Sequence, residues 1–180
     1  MIKNDIKKVL ISQEAIVKRC EELGKQIDKD YKGMPEVLLV GILKGSVPFM
    51  AELMKHIESD ITIDFMAASS YSGTESMGDI KIVKDLDQSI KGKNIILVED
   101  IIDTGFTIKH LKKMMYDKGA ETVRVVALLD KPSRRIVDIS ADYIGFEVEN
   151  EFVVGFGLDF NQKYRNLPYV GVLKEELYTD

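Results

Sequence analysis

Apolar positions along the chain follow two rhythms in turn, and their alternation predicts helices interleaved with strands. Ile16, Cys20, Leu23 and Ile27 recur at three- and four-residue spacings, as one buried helical face requires, so a helix is expected from a cap at Ser12 to about Lys32. Val37–Leu43 (VLLVGIL) is a near-continuous apolar run of strand length, which suits the two-sided burial of a parallel sheet. A second helix should follow, with Phe49, Met50, Leu53, Met54 and Ile57 on its inner face. Ile61–Ala68 and Ile80–Val83 read as extended, Lys91-Gly92-Lys93 as a turn and Asn94–Val98 as a buried strand. Ile108, Leu111, Met114 and Met115 mark a third helix ending near Gly119, and Thr122–Leu129 is again a β-branched apolar run.

Strands alternating with helices over about 35–135 predict an α/β domain with a mostly parallel, twisted sheet flanked by helices. Beyond Lys131 the pattern changes to short extended pieces around Tyr143–Phe146 and Phe152–Gly155, then a tail without clear period. Ser69–Asp79 (SSYSGTESMGD) is rich in Ser and Gly with no apolar period and reads as a mobile loop. There is no internal repeat or linker, so residues 1–180 are expected to form a single domain.

Charge narrows the partners. Lys and Arg number 25 against 30 Asp and Glu, a net charge of -5, and an acidic chain repels phosphate backbones at long range. Nucleic acid is therefore not expected as a partner, although a local pocket for a small anion is allowed. No run approaches the ~18 apolar residues that span a bilayer, and the first residues lack the block of a secretory signal. A cytoplasmic protein with no membrane partner is the expectation. Cys20 is the single cysteine, which excludes an internal disulfide, and its place on the apolar stripe marks it as a core thiol.

Ligands of open α/β sheets collect at the carboxyl ends of the strands, and three candidate loops fall there. The strongest is in Val98–Thr107 (VEDIIDTGFT), where Asp103-Thr104-Gly105-Phe106-Thr107 runs into a helix start. The unpaired N–H groups of such a start suit a phosphate, Gly105 permits close approach, and the hydroxyls of Thr104 and Thr107 add donors. Glu99 and Asp100 would repel a phosphate directly, but they make sense as acceptors for sugar hydroxyls or as ligands of Mg²⁺. Taken alone, the two carboxylates would equally fit an acidic strand end before an Asp/Thr cap. The second loop is Leu43-Lys44-Gly45-Ser46, where a lysine beside a helix N-terminus is in conflict with the macrodipole unless an anion lies between them. Its order, K-G-S, is not that of a Walker loop. The third is Asp130-Lys131-Pro132: Pro132 pushes Lys131 toward extended backbone, and a lysine would favour a ligand with a carbonyl over one with an amine. In isolation this lysine would fit a solvated surface position as well.

VEDIIDTGFT at 98–107 resembles the phosphoribosyl-pyrophosphate signature of the type I phosphoribosyltransferases. GILKGS at 41–46, SSYSG at 69–73, LLDKPSRR at 128–135 and FVVGFGLDFNQKYRNLPYVG at 152–171 are similar to the hypoxanthine-guanine branch of that family. The resemblance runs from about Leu10 onward, with the motifs in the family's order. It implies the type I fold, with a small hood made from the chain ends, and a homodimer or homotetramer. It also implies transfer of 5-phosphoribose from phosphoribosyl pyrophosphate to N9 of a 6-oxopurine, giving IMP or GMP and pyrophosphate, with Mg²⁺ as cofactor.

The resemblance further implies roles residue by residue. Asp103 would be the general base for the purine N7 proton, and Thr104, Gly105, Phe106 and Thr107 would hold the 5′-phosphate. Glu99 and Asp100 would bind ribose hydroxyls and Mg²⁺, with Asp159 a further metal ligand. Lys44 and Gly45, in a loop that in this family often holds a non-proline cis peptide, and Arg165 would contact pyrophosphate. Lys131 would donate to the purine 6-oxo group, Phe152 would stack on the ring, and the Val153 backbone with Asp159 would read its lower edge. Ser70 and Tyr71 would belong to a closing lid over 69–79 that keeps water from the reacting ribose. Phe106 departs from the family, whose members often carry a basic or amide residue there, and Lys174–Asp180 carries no resemblance. The competing readings are a xanthine- or adenine-preferring transferase, a nucleotide-sensing regulator on the same fold, and a receiver-type phosphoacceptor. Lys131 disfavours a 6-amino purine, the net acidity disfavours a DNA-binding regulator, and acids at 99–100 lie too far along the chain for a receiver.

Overall fold

Six of the seven residues of Val37–Leu43 are buried, because other strands flank this one and helices cover the sheet. The computed structural model describes residues 2–70 and 80–179. The elements are β1 (Ile6–Ile11), α1 (Gln13–Asp30), β2 (Val37–Leu43), α2 (Val47–Leu53), β3 (Ile61–Ser70), β4 (Ile80–Lys84), β5 (Asn94–Ile102), α3 (Phe106–Asp117), β6 (Thr122–Asp130), β7 (Tyr143–Glu147), β8 (Val153–Val154) and β9 (Val170–Leu173). Six strands form one sheet in the order β4-β3-β2-β5-β6-β7, parallel throughout except for the antiparallel edge strand β4.

The helical stripes read from the sequence face this sheet. Ser12 caps α1, its hydroxyl accepting from the Ala15 N–H at 3.2 Å, and Ile16, Cys20, Leu23 and Ile27 pack with Phe49, Met50 and Leu53 of α2 on one face. Ile108, Leu111 and Met115 of α3 pack on the other. Cys20 is fully buried, and that burial pushes its thiol up to about 12, so it is a core group rather than a nucleophile.

Three expectations need correction. The strand expected to end at Val98 runs to Ile102, so Glu99 and Asp100 are strand residues rather than the first residues of a loop. Hydrogen bonding to β6 carries it on: Glu99 lies opposite Ala127 and Ile101 opposite Leu129. Helix α2 stops at Leu53, and Met54, expected on the inner face, is exposed in the single 3-10 turn that follows. The tail expected to lack regular structure contains β9, which pairs with β1 and β8 in a small antiparallel sheet built from both chain ends. Of the segment 69–79, Ser69 and Ser70 end β3, while Tyr71–Asp79 and the Ser70 side chain lie outside the described residues.

Candidate active site

The carboxyl ends of the parallel strands β2, β5 and β6 deliver the three candidate loops to one edge of the large sheet. After β5, Gly105 is the residue before α3, with φ of 90°. A Cβ there would stand 2.5 Å from Ile139 Cγ2 and would sit on left-handed backbone, so only glycine fits. The N–H groups of the first turn of α3, from Phe106 on, have no acceptor within the helix and carry the positive end of its dipole. Phe106 is thus the first helical residue, and its departure from the family leaves this backbone cradle unaffected. The loop is braced from behind. Ile136 N donates to Thr104 O at 3.0 Å, and the Arg135 guanidinium spans from Asp103 O, at 3.0 Å, to the buried Asp130 carboxylate.

After β2, a cis peptide joins Leu43 to Lys44, and Gly45 is packed so closely that a Cβ would overlap the Asp100 carboxylate. Ser46 does not cap α2 with its side chain: its own backbone is helical, and its hydroxyl is buried without a hydrogen-bond partner among the described residues. The loop after β8 reaches the same place. Arg165 pairs with Asp159 at 2.7 Å and donates to Gly157 O at 2.7 Å, while its Nε is buried and has no partner among the described residues. Gln162 links the two cations, accepting from Lys44 Nζ at 3.3 Å and from Arg165 Nη2 at 3.4 Å. Asp159 also accepts from the Gln162 N–H at 2.8 Å. Lys44, Gly45, Ser46 and Arg165 therefore gather two positive charges and two unsatisfied donors, a set suited to a polyanion.

Between these loops lie Glu99 and Asp100. Burial pushes the Glu99 carboxyl well above the usual range, and the charge of Asp100 beside it adds to the effect. Burial likewise lifts Asp100 to about 6, against the Ile101 N–H that donates to it at 2.7 Å and the more distant Arg165 charge. Glu99 is buried and Asp100 partly so, and among the described residues neither has an ion pair; that is costly, and a cation or a sugar hydroxyl would relieve it. Among the described residues no three acidic, His or Cys side chains gather to hold a metal alone, so a cation here would take its remaining ligands from a bound phosphate or sugar.

A carboxylate whose folded-state value lies above its unfolded-state value destabilises the fold at high pH, and that penalty fades as pH falls through the folded-state value. For Asp100 the penalty is complete above about pH 6 and fades toward 3.8. Asp100→Asn, which keeps the acceptor for Ile101 N, should therefore melt higher than the parent at neutral pH in the presence of a chelator. The expected gain is at least ~2 °C, the shift that ~1 kcal/mol gives a chain of this size. Calorimetric melting checks this, and an equal or lower melting point would mean the carboxylate is not strained.

The third loop opens a cleft of about 390 Å³ lined by Asp103, Lys131, Arg134, Glu151, Phe152 and Tyr178. Asp103 accepts from Arg134 Nε at 2.7 Å. Lys131 is 8% exposed, and its ammonium donates to Glu151 O at 2.6 Å. Burial lowers its pKa, with the Asp103 charge working the other way. Phe152, exposed at 37%, stacks on Tyr178 with ring centroids 4.7 Å apart and meets Phe160 edge-on at 5.5 Å. Val153, buried in β8, places its backbone directly beyond Phe152.

The structure thus brings the sequence candidates into two adjoining groups. Asp103, Lys131, Phe152 and Val153 form one, and Lys44, Gly45, Asp100, Asp159 and Arg165 the other. Four contributors went unread in the sequence: Arg134, Arg135, Gln162 and Tyr178. Arg134, Arg135 and Gln162 all stand in segments that carry the family resemblance and could have been weighed there. Tyr178 carries no local signal, since only the folded path of the C-terminal segment brings it to the site.

An anion cradle at a helix start, a carboxylate pair at a strand end and an aromatic-walled cleft, all at one sheet edge, are the parts of an α/β protein suited to a sugar phosphate. A sequence profile described as "Phosphoribosyl transferase domain" matches residues 9–161. The chain is 57% identical over 180 residues to a hypoxanthine-guanine phosphoribosyltransferase of Streptococcus agalactiae serotype V, covering 99% of each. A hypoxanthine phosphoribosyltransferase from Staphylococcus aureus has a similar structure, with a TM-score of 0.95 at 48% identity, covering 99% of this chain and 97% of that one. So does the Trypanosoma cruzi hypoxanthine phosphoribosyltransferase in complex with the product IMP, with a TM-score of 0.92 at 36% identity and 97% of both chains covered. The chain belongs to the type I phosphoribosyltransferase family, among its hypoxanthine-guanine members.

Proposed function

We propose that this site transfers 5-phosphoribose from phosphoribosyl pyrophosphate to N9 of hypoxanthine or guanine, yielding IMP or GMP and pyrophosphate in purine salvage. The observation that carries the reading is the shared cleft of Asp103, Lys131 and Phe152, opening beside the phosphate cradle of α3. Phe152 offers the base a stacking surface, and Lys131 exchanges its bond to Glu151 O for one to the purine 6-oxo oxygen. The Val153 backbone and Asp159 read the lower edge. Asp103 takes the proton from N7 as N9 bonds to the ribose. Thr104, Gly105, Phe106 and Thr107 hold the 5′-phosphate, and Glu99 and Asp100 accept from the ribose hydroxyls.

As pyrophosphate leaves, negative charge grows on it, and Lys44, Gly45 and Arg165 are placed to offset that charge. Mg²⁺ fits the same reading, because Glu99 is buried and Asp100 partly so, two adjacent carboxylates that oxygen-seeking cations favour. When bound it would screen the phosphate oxygens and help the leaving group depart. Self-association into a homodimer or homotetramer belongs to the reading as well, and the exposed Val47 and Met54 are apolar surface that a second copy could cover.

The test is a panel of hypoxanthine, guanine, xanthine and adenine with phosphoribosyl pyrophosphate, run with and without Mg²⁺. Turnover should be Mg²⁺-dependent and confined in the main to hypoxanthine and guanine. A preference for adenine, whose 6-amino group faces Lys131 donor to donor, or for xanthine would overturn the substrate assignment.

A further inference from the structure

The last turn of the chain does not end free in solvent. Leu173 N donates to Phe152 O at 2.9 Å, and Lys174 N donates to Asp5 O at 3.0 Å, so the chain leaving β9 is tied both to the base platform and to the N-terminal segment. A single 3-10 turn, Glu175–Leu177, follows, closed by Leu177 N and Tyr178 N donating to Lys174 O and Glu175 O at 3.1 Å each. The Thr179 hydroxyl adds a bond to Glu175 O at 2.7 Å. This turn carries the Tyr178 ring back over Phe152, nearly parallel to it at 22°. With Phe160 set at 90° to Phe152, one ring is fixed by two others from different parts of the chain. Tyr178 also lines the cleft that holds Asp103 and Lys131.

We infer that Tyr178 is a positioning residue of the base site: by stacking on Phe152 it fixes the ring against which the purine lies, which makes the C-terminal turn part of base recognition. The inference rests on Phe152 being that platform. Centroids 4.7 Å apart leave no room for a base between the two rings, so the base uses the part of Phe152 that faces the cleft. Removing Tyr178 frees Phe152 to turn about its side-chain torsions, and the purine must then order the ring as it binds. The cost falls on base binding, before the bond-making step, and leaves the distant pyrophosphate group untouched.

Steady-state kinetics of Tyr178→Ala, Tyr178→Leu and Tyr178→Phe test this. KM for hypoxanthine should rise about threefold to tenfold in Tyr178→Ala and Tyr178→Leu, the range a lost aromatic stack implies. KM for phosphoribosyl pyrophosphate and kcat should stay within about twofold, and Tyr178→Phe should restore the parent value, because the ring and not the hydroxyl makes the contact. Tyr178→Leu keeps bulk over Phe152, so it reads the stack even if the alanine variant folds poorly. An unchanged hypoxanthine KM in Tyr178→Leu overturns the inference. A fall in that KM overturns it too, since Tyr178 would then compete with the base for its place. Phe152→Ala run in parallel separates the two failures: if it also leaves hypoxanthine KM unchanged, the platform reading itself is wrong.

Discussion

Asp103→Asn should lower kcat by about 10²–10⁴ while the chain keeps its fold and its affinity for phosphoribosyl pyrophosphate, the loss expected when a positioned general base is removed. The geometry makes this substitution clean. Arg134 Nε donates to Asp103 Oδ1, and an amide oxygen can accept the same bond. The backbone of residue 103 is held separately, by Arg135 donating to its carbonyl, so the phosphate loop keeps its shape. What disappears is the ability to take a proton. Single-turnover measurement with hypoxanthine isolates the chemical step from product release. A rate within a few-fold of the parent would assign the proton to another acceptor.

Lys131→Met should lower kcat/KM for hypoxanthine and guanine by about 10- to 100-fold, as the loss of a charge-assisted hydrogen bond of ~1.5–3 kcal/mol requires. Adenine should lose far less, so the discrimination between 6-oxo and 6-amino bases narrows. The same residue predicts a pH dependence. Burial lowers its pKa below the ordinary 10.5, so the donor should be lost on the alkaline side earlier than for an exposed lysine. A lysine with a depressed folded-state pKa penalises the fold while both states are protonated, and the penalty fades as pH rises through the folded-state value. At neutral pH, removing the charge should therefore leave the melting temperature equal or higher while activity falls, which separates a lost donor from a lost fold. Kinetics with the base panel, paired with melting curves, checks both halves.

How far the sequence speaks depends on whether a residue's role is written locally. The parallel sheet was legible because strands buried on both faces must read as apolar runs, and VLLVGIL is one. The stripes of α1 and α3 were legible because a helix buried on one face repeats its apolar residues every three or four positions. Strand β1 was not: IKKVLI has three exposed residues in sequence, its inward and outward faces do not alternate, and its partner β9 lies at the other end of the chain. Helix α2 ends earlier than its apolar residues imply, because Ile57 is buried from the loop that follows rather than from the helix.

Within the site, the phosphate loop announces itself, since Gly105 and the helix start are consecutive. The strain on Glu99 and Asp100 does not, because burial comes from neighbours the sequence does not name, and β5 continues through both where a loop was expected. Lys131 looks like a surface lysine until the fold buries it beside Glu151 O. Tyr178 is the extreme case, a ring in a short polar tail whose place is set wholly by the antiparallel pairing of the chain ends.

If one sheet edge holds phosphate, ribose and purine at once, a crystal structure of the chain with IMP will show all three there. The 5′-phosphate should lie on the backbone N–H groups of Thr104–Thr107, and the ribose hydroxyls at Glu99 and Asp100. The hypoxanthine ring should lie against Phe152, with its 6-oxo oxygen on Lys131 Nζ in place of Glu151 O and N7 within hydrogen-bond reach of Asp103. A base lying outside the cleft of Asp103, Lys131 and Phe152, or a phosphate away from the start of α3, would contradict the account.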